Sequence, residues 1–570
     1  MTLVVEDSTS ASGQANPTAT RRRRSRWGPF ALFIALTATY FTIGAVLVIR
    51  FNMFEWDGVS RVANAGYTIM SRDPHLAAVG FVWNPLPSLV EIPLLALSAW
   101  WPDVKVYALA GSLQSAVFMA GSVLIVRQIA IDREVGAGWR WIAIACFALN
   151  PMNIVYGGSG MSEAAMMFCL LWSTRYLLLW VDSRRTGHLA WAGIALGVGY
   201  LVRYELIPAA CGAAAMVGVL AFVWSGHHHR VSSATLNVVI VVFPTAAAFT
   251  LWAITGWIVS GDLFATVTSQ YGNTAQVETA MARGGITSNA DTFVIAERLL
   301  GMQPLLGLAV ILAVAIWALT KRAALLVPLA TFGAVLVFSA WGQYSASTYG
   351  LFRYYMPAIP IVLVIALACW TPTQSGTSRL RLGSVPACFG AAVLSLSLVV
   401  GLPVTGRSML DENNSGQQLL LGVRSLFNRQ EVPPNQQWYR RAGDDDRRVA
   451  TYLDNKNLDP GTVLTDTFIS AVVWLSSDNP KQFVVTSDFD FTAALNRPWE
   501  SGVKYILISN PAGNAAQDAI TTRYPTMWSD GAGIGKLVLT VDGPSGQDRW
   551  RVYEVLEPQD EPEQSSQLPR

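Results

Sequence analysis

Residues 29–58 read PFALFIALTATYFTIGAVLVIRFNMFEWDG. The run 29–49 carries no charged side chain and matches the roughly 20 residues a helix needs to span a bilayer. Arg50 ends it, and a few residues later two acids, Glu55 and Asp57, flank Trp56. Acids in this position either open an interfacial helix, where Asp57 would favour the N-terminus, or gather at the membrane surface for chemistry. The continuation DGVSRVANAGYTIM places Val59, Val62, Ala63 and Ala65 in an apolar set and predicts an amphipathic helix lying on the membrane. In that helix Asp57 and Arg61 would pair at i,i+4.

The rest of the chain extends this pattern. Its 570 residues are 52% hydrophobic and only 14% charged, against about 25% charged in a typical soluble domain. The polar residues are concentrated in the last third. The chain is therefore expected to be an α-helical polytopic membrane protein with a polar C-terminal appendage. A net charge of +2 offers no basic excess for nucleic acid. The five cysteines all lie in apolar runs without a CxxC spacing and read as small buried hydrophobes.

Further spans are expected near 105–126, 141–157, 162–181, 188–202, 206–225, 235–259, 300–319, 323–341, 355–371 and 384–404, eleven in all. The stretch 86–101 is apolar too, but Pro87, Glu91 and Pro93 predict a short interfacial helix there. Lys and Arg cluster in RRRRSR at 21–26 and in alternate short loops, which places the N-terminus in the cytoplasm and residues 405–570 outside a multi-pass plasma-membrane protein. The expected organisation is a disordered basic tail at 1–28, a transmembrane domain at 29–404 with its first outer loop at 50–104, an α/β domain at 405–556 and a disordered tail at 557–570.

By this topology, Glu163 in GGSGMSE, Arg203 and Glu205 in LVRYELIP, and Arg353 in FRYYMPAIP all stand at outer ends of spans. Charges at membrane depth are costly and usually face a cavity or a partner. Four on one side, acids among them, predict a shared polar cavity rather than separate snorkelling side chains. Arg203 sits between two spans and cannot leave the membrane surface, where its fork suits an anionic lipid headgroup. The His227–His229 run falls in a cytoplasmic loop and reads as solvated. In the C-terminal part, DDDRRVATYLDNKNL reads as a helix, and GTVLTD, KQFVVTS, VKYILIS, GKLVLTV and RWRVYEVL read as short strands. That domain carries no Gly-rich phosphate loop, Ser-His-Asp order or metal cluster, so it is expected to cover the cavity, bind acceptor or stabilise the bundle.

Together these residues resemble the GT-C superfamily of polytopic glycosyltransferases. The resemblance rests on the acidic pair in EWD, the WNPLPSL segment before the second span, and FRYYMPAIP, which is similar to a segment of the protein O-mannosyltransferase and aminoarabinose transferase branch. It covers about residues 29–404. The acid pair departs from the adjacent Asp-Glu form, and no WWDYG-like motif of oligosaccharyltransferases is present.

The resemblance implies transfer of a sugar, with inversion, from a polyprenyl-phosphate-linked donor to a glycan, lipid or protein acceptor at the cell envelope. It implies Asp57 as the base with Glu55 second, Arg203, Arg353 and Arg61 at the donor phosphate, and Glu163, Glu205, Tyr354 and Trp56 at the substrate. Tyr67 and Trp83 are further aromatic faces for a sugar or lipid. The resemblance fixes no cofactor, since some members of the family need a divalent cation and others do not; one could bridge Glu55 and Asp57 to phosphate. A lipid-linked-saccharide transporter or an inactive scaffold are the alternatives. A transporter would place its polar groups at mid-membrane in paired repeats, whereas here the charges stand at one end of the spans.

Overall fold

The structure is a computed structural model that describes residues 27–282, 291–370, 385–428, 441, 443–543 and 546–557. The expected tails at 1–28 and 557–570 and the loop TQSGTSRLRLG lie almost wholly outside the described residues.

Among the described residues, seven helices are long and apolar enough to cross a membrane: Gly28–Phe51, Leu109–Asp132, Glu163–Ser183, Leu206–Trp224, Arg230–Ser260, Ala323–Tyr344 and Val385–Met409. The expected span 300–319 is a bent pair, Thr292–Met302 and Leu306–Thr320, which meet at 83° around Pro304 as a broken span or a re-entrant loop. The remaining three expected spans are shorter helices. Ala137–Ala148 stops before Asn150, whose side chain accepts from Met152 N and starts a separate helix at Pro151. Thr186–Tyr200 has 15 residues. Ala358–Ala368 is apolar on every face and buried at every position, which makes it a central strut of the bundle.

The acid-bearing helix spans Trp56–Met70. It is not the membrane-surface helix the sequence suggests. Val59, Val62, Ala63, Ala65, Gly66 and Tyr67 are all buried, because one face meets the bundle and the other meets the C-terminal domain. Small residues permit this. A Cβ on Gly66 would stand 2.7 Å from the ring of Trp474, which occupies that space and meets Tyr67 edge-on at 4.6 Å. The segment 86–101 forms Leu86–Leu95 with Pro93 inside it, followed by a short turn at Ala96–Ala99.

The C-terminal domain has one five-stranded sheet in the order β2-β1-β3-β5-β4. Its strands are β1 (Val463–Thr465), β2 (Phe483–Val484), β3 (Tyr505–Ser509), β4 (Gly535–Asp542) and β5 (Asp548–Val555). Each falls on one of the five strand patterns read from sequence. β1 runs parallel to β2 and β3, while β5 is antiparallel to β3 and β4. Asp466 caps the helix Thr467–Ser476 through Phe468 N, and that helix carries Trp474. Trp474, Trp550, Val552 and Leu507 share one apolar cluster with Phe54, Val59, Val62 and Tyr67. The sheet domain and the first loop therefore have a common core.

Deleting a fully buried indole costs about 3–5 kcal/mol. Trp474→Ala is expected to lower the thermal transition of the detergent-purified protein and to speed proteolysis between the last span and β1. A transition unchanged from wild type would mean that the domain and the loop are not packed as one core.

Candidate active site

The helix Trp27–Phe51 ends at Asn52, which takes φ 53°, a conformation Asn tolerates better than most residues. The chain then runs extended through Glu55 (φ −104°, ψ 115°) into the helix at Trp56. This turn aims Glu55 and Asp57 at Arg353, which lies in the turn Phe352–Tyr355. Arg353 Nη1 donates to Glu55 Oε2 (3.1 Å) and Nη2 to Asp57 Oδ2 (2.8 Å), while Nε stands 3.1 Å from Glu163 Oε1.

Glu163 opens the helix Glu163–Ser183. The glycine-rich loop before it packs backbone to backbone on the first span: a Cβ at Gly44 would lie 2.0 Å from Gly158 O, so only glycine permits the approach. Glu163 Oε1 also accepts from Arg203 Nη1 (2.9 Å), and Arg203 Nε donates to Glu205 Oε1 (3.0 Å). Tyr354 stands between the two guanidiniums, 5.7 Å from each. One network thus joins two arginines to four carboxylates.

Burial separates the acids. The Glu163, Glu55 and Glu205 side chains are 1%, 8% and 9% exposed, whereas Asp57 is 33% exposed and faces the cavity. Burial pushes the Glu55 carboxyl up to about 7; Arg353 opposes that rise, and Asp57 and Glu163 add to it.

Arg61 differs from the other two arginines. It is buried, Nη1 donates to the Asp57 carbonyl (3.2 Å), and the guanidinium lies 4.6 Å from the Trp83 ring. Among the described residues it bonds no carboxylate, so the expected Asp57–Arg61 side-chain pair is replaced by a bond to the backbone. Asp57 is not a helix cap either, because its carboxylate is taken by Arg353.

These groups line a cavity of about 360 Å³. Glu55, Trp56, Asp57, Arg61, Arg203, Glu205, Arg353 and Tyr354 all reach its wall. Glu163 lies behind the wall and holds both arginines. The cavity also shares Asn84, Tyr204 and Thr266 with an apolar recess of about 210 Å³, walled by Phe81, Tyr200, Ile207, Phe249, Trp252 and Phe264. That recess borders the helix Arg230–Ser260, whose Leu251, Ile254, Trp257 and Ile258 are exposed.

Three other first-loop residues lie away from the cavity wall. Tyr67 packs on Trp474, Arg72 pairs with Asp488 (3.1 Å), and His75 stacks on Phe489 at 4.3 Å. All three join the first loop to the C-terminal domain. Conversely, Tyr156 and Gln417 belong to the site and carry no sequence signal. Tyr156 ends an apolar stretch, and Gln417 follows the last membrane-length helix in an unremarked SGQQL.

Among the described residues no three His, Cys, Asp or Glu side chains gather as cation ligands. Glu55 and Asp57 both direct oxygens at Arg353.

No family model matches the sequence, and no curated protein matches it. Solved structures do. ArnT from Cupriavidus metallidurans bound to undecaprenyl phosphate matches with a TM-score of 0.50 at 14% identity, over 93% of this chain and 98% of that one. Its apo form gives 0.49 at 14% identity over 92% and 98%, and the apo oligosaccharyltransferase of Archaeoglobus fulgidus gives 0.44 at 12% over 85% and 70%. The likeness to the first of these is one of fold, and it runs along nearly the whole chain. The membrane-helix bundle with its C-terminal sheet domain is thus the fold of ArnT, in agreement with the resemblance drawn from the sequence.

Proposed function

We propose that the protein is an integral-membrane glycosyltransferase that moves a sugar from a polyprenyl-phosphate donor to an acceptor hydroxyl on the extracytoplasmic side. The observation that carries this is the cavity itself: one accessible carboxylate, Asp57, faces a space that also holds the uncommitted guanidinium of Arg61 and opens toward an apolar recess. An acid, a phosphate receptor and a slot for a hydrocarbon tail are what an amphiphilic donor requires. The shared fold with ArnT, which was solved with undecaprenyl phosphate bound, supports the same reading.

In this mechanism Asp57 accepts the acceptor's hydroxyl proton as the oxygen attacks the anomeric carbon. The bond from that carbon to the phosphate oxygen breaks, and its electron pair leaves on the phosphate. Arg61 receives the phosphate directly. Arg203 and Arg353 contribute positive charge, and each can exchange a carboxylate partner for a phosphoryl oxygen. If phosphate takes Arg353 Nη2, Asp57 is released from its ion pair and its oxygen is free to accept from the acceptor hydroxyl, so donor arrival frees the base. The exposed apolar face of Arg230–Ser260 would let the prenyl chain enter from the bilayer.

A general base contributes about 10²–10⁴ in rate. Asp57→Asn should therefore lower kcat by that factor in membranes supplied with donor, at unchanged expression. Transfer near the wild-type rate would remove Asp57 from the mechanism. Losing a charged hydrogen bond to phosphate weakens binding by about 10- to 100-fold. Arg61→Ala should raise the donor KM accordingly and also lower kcat, because the same guanidinium meets the charge that develops on the leaving phosphate, and unchanged values of both would place the phosphate elsewhere.

The pH dependence has a fixed sign. Glu55 is neutral below about 7 and anionic above it, and its charge sits beside Arg353, with Asp57, Glu163 and Tyr156 also facing it. Donor affinity should fall as pH rises from about 6 to about 8, and Glu55→Gln should flatten that step. A step that persists in Glu55→Gln would assign the titration to another group.

A further inference from the structure

One buried amide in the cavity wall has no part in the chemistry above. Gln417 lines the cavity and is 6% exposed. Its Oε1 accepts from the Tyr156 hydroxyl, and its Nε2, although buried, has no partner among the described residues. Tyr156 is fully buried, and its hydroxyl also lies 3.4 Å from Glu55 Oε1. A primary amide carries two N–H donors, and leaving them unmet in a buried site is unfavourable. Tyr156 therefore fixes the amide by its carbonyl and leaves its N–H edge as the free edge at the cavity.

The position suggests what the amide reads. From Gln417 the contacts run to Tyr156, then Glu55, then Arg353. No guanidinium bonds it among the described residues. Arg61 lies instead over Trp83, and Arg203 pairs with Glu163 and Glu205. A phosphoryl group belongs with the guanidiniums, Arg353 among them. An uncharged N–H donor beside a largely buried acid suits a neutral hydroxyl oxygen.

We propose that Gln417 is a sugar-reading residue, donating an amide N–H to a hydroxyl oxygen of the transferred sugar, with Tyr156 as the positioning residue that holds the amide in place. This rests on the glycosyltransferase reading above.

The test uses the full chain in nanodiscs with polyprenyl-phosphate-linked mannose, glucose, galactose and arabinose as donors, and undecaprenyl phosphate as a sugar-free ligand. For the preferred donor, Gln417→Ala should raise KM about 10- to 100-fold with kcat within about threefold. Gln417→Glu keeps the size but removes the donor, and should be at least as impaired. Affinity for undecaprenyl phosphate should stay within about twofold of wild type in both variants. Tyr156→Phe should give a smaller KM rise that adds nothing on the Gln417→Ala background, the non-additivity expected of groups that act as a unit. With the wild-type enzyme, one monodeoxy form of the donor sugar should reproduce the KM penalty, which keeps the test decisive should a variant fail to fold.

An unchanged KM in both Gln417 variants, or monodeoxy donors that are all used normally, overturns the proposal. So does a loss of undecaprenyl phosphate affinity in step with KM, since the amide would then read phosphate. Full additivity of Tyr156→Phe with Gln417→Ala removes the positioning role. A wild-type protein that transfers no sugar from any donor defeats the enzyme assignment and this inference with it, whereas an active wild type with indifferent Gln417 variants defeats this inference alone.

Discussion

A guanidinium buried away from water costs several kcal/mol unless carboxylates and hydrogen bonds replace its hydration. Arg353 is buried, and three carboxylates meet it: Glu55 and Asp57 from the first loop, and Glu163 from the start of a span. Those groups come from segments about a hundred residues or more apart in sequence. Satisfying one charge therefore fixes the relative positions of the first loop, the Glu163 helix and the turn before the central apolar helix. Arg203 extends the same constraint through the shared Glu163 oxygen to the turn between two further helices. The pairing fixes three segments of the cavity wall, at Glu55–Asp57, Arg203–Glu205 and Arg353, relative to one another.

The acid pair is held from its other side by the C-terminal domain. Arg447 donates to Asn52 Oδ1 (2.7 Å), at the residue whose positive φ turns the chain toward Glu55. Arg549 on β5 is paired with the buried Asp445 and Asp446, and its guanidinium lies 5.6 Å from the Trp56 ring. Phe54 belongs to the core that contains Trp474. Residues 52–57 therefore lie between the helix bundle and the sheet domain, and this gives the polar domain a structural role even though it supplies no recognisable chemical motif of its own. Side chains held this way lose little entropy when a ligand arrives, the usual condition for an accurately placed site.

Much of this was legible in the sequence, for definite reasons. Membrane-length apolar runs and the strand patterns of the last third are local signals, and both lead to the right elements. Charges at the ends of spans were legible because their cost at membrane depth demands partners, and the predicted convergence of Glu163, Arg203, Glu205 and Arg353 is what the structure contains, with Glu55 and Asp57 joined to it through Arg353. What local pattern does not encode is which partner each charge takes. Asp57 and Arg61 satisfy the i,i+4 spacing, yet Asp57 turns to Arg353, nearly three hundred residues away. The helix Trp56–Met70 was misplaced on the membrane surface because its small residues signal close packing only once Trp474 is known to occupy the space over Gly66. Tyr156 and Gln417 were invisible for a related reason: a Tyr at the end of an apolar run and a Gln in a polar linker are ordinary until the fold joins them.

The pairing of Arg203 and Arg353 with acids bears on which anions the site can hold. A cavity that left two or three guanidiniums bare would bind any available anion and would repel itself when empty. Here Arg203 and Arg353 are already compensated, and Arg61 alone bonds no carboxylate among the described residues. An incoming phosphate must therefore offer more than charge. It has to exchange for carboxylates in a confined space, and apolar area buried beside the site, at about 25 cal/mol per Å², supplies the additional free energy. An inorganic phosphate has no such area, whereas a prenyl phosphate does. On the reading proposed above, selectivity for a lipid-linked anion follows from the acids as much as from the arginines, because the acids set the affinity that a bare headgroup cannot reach.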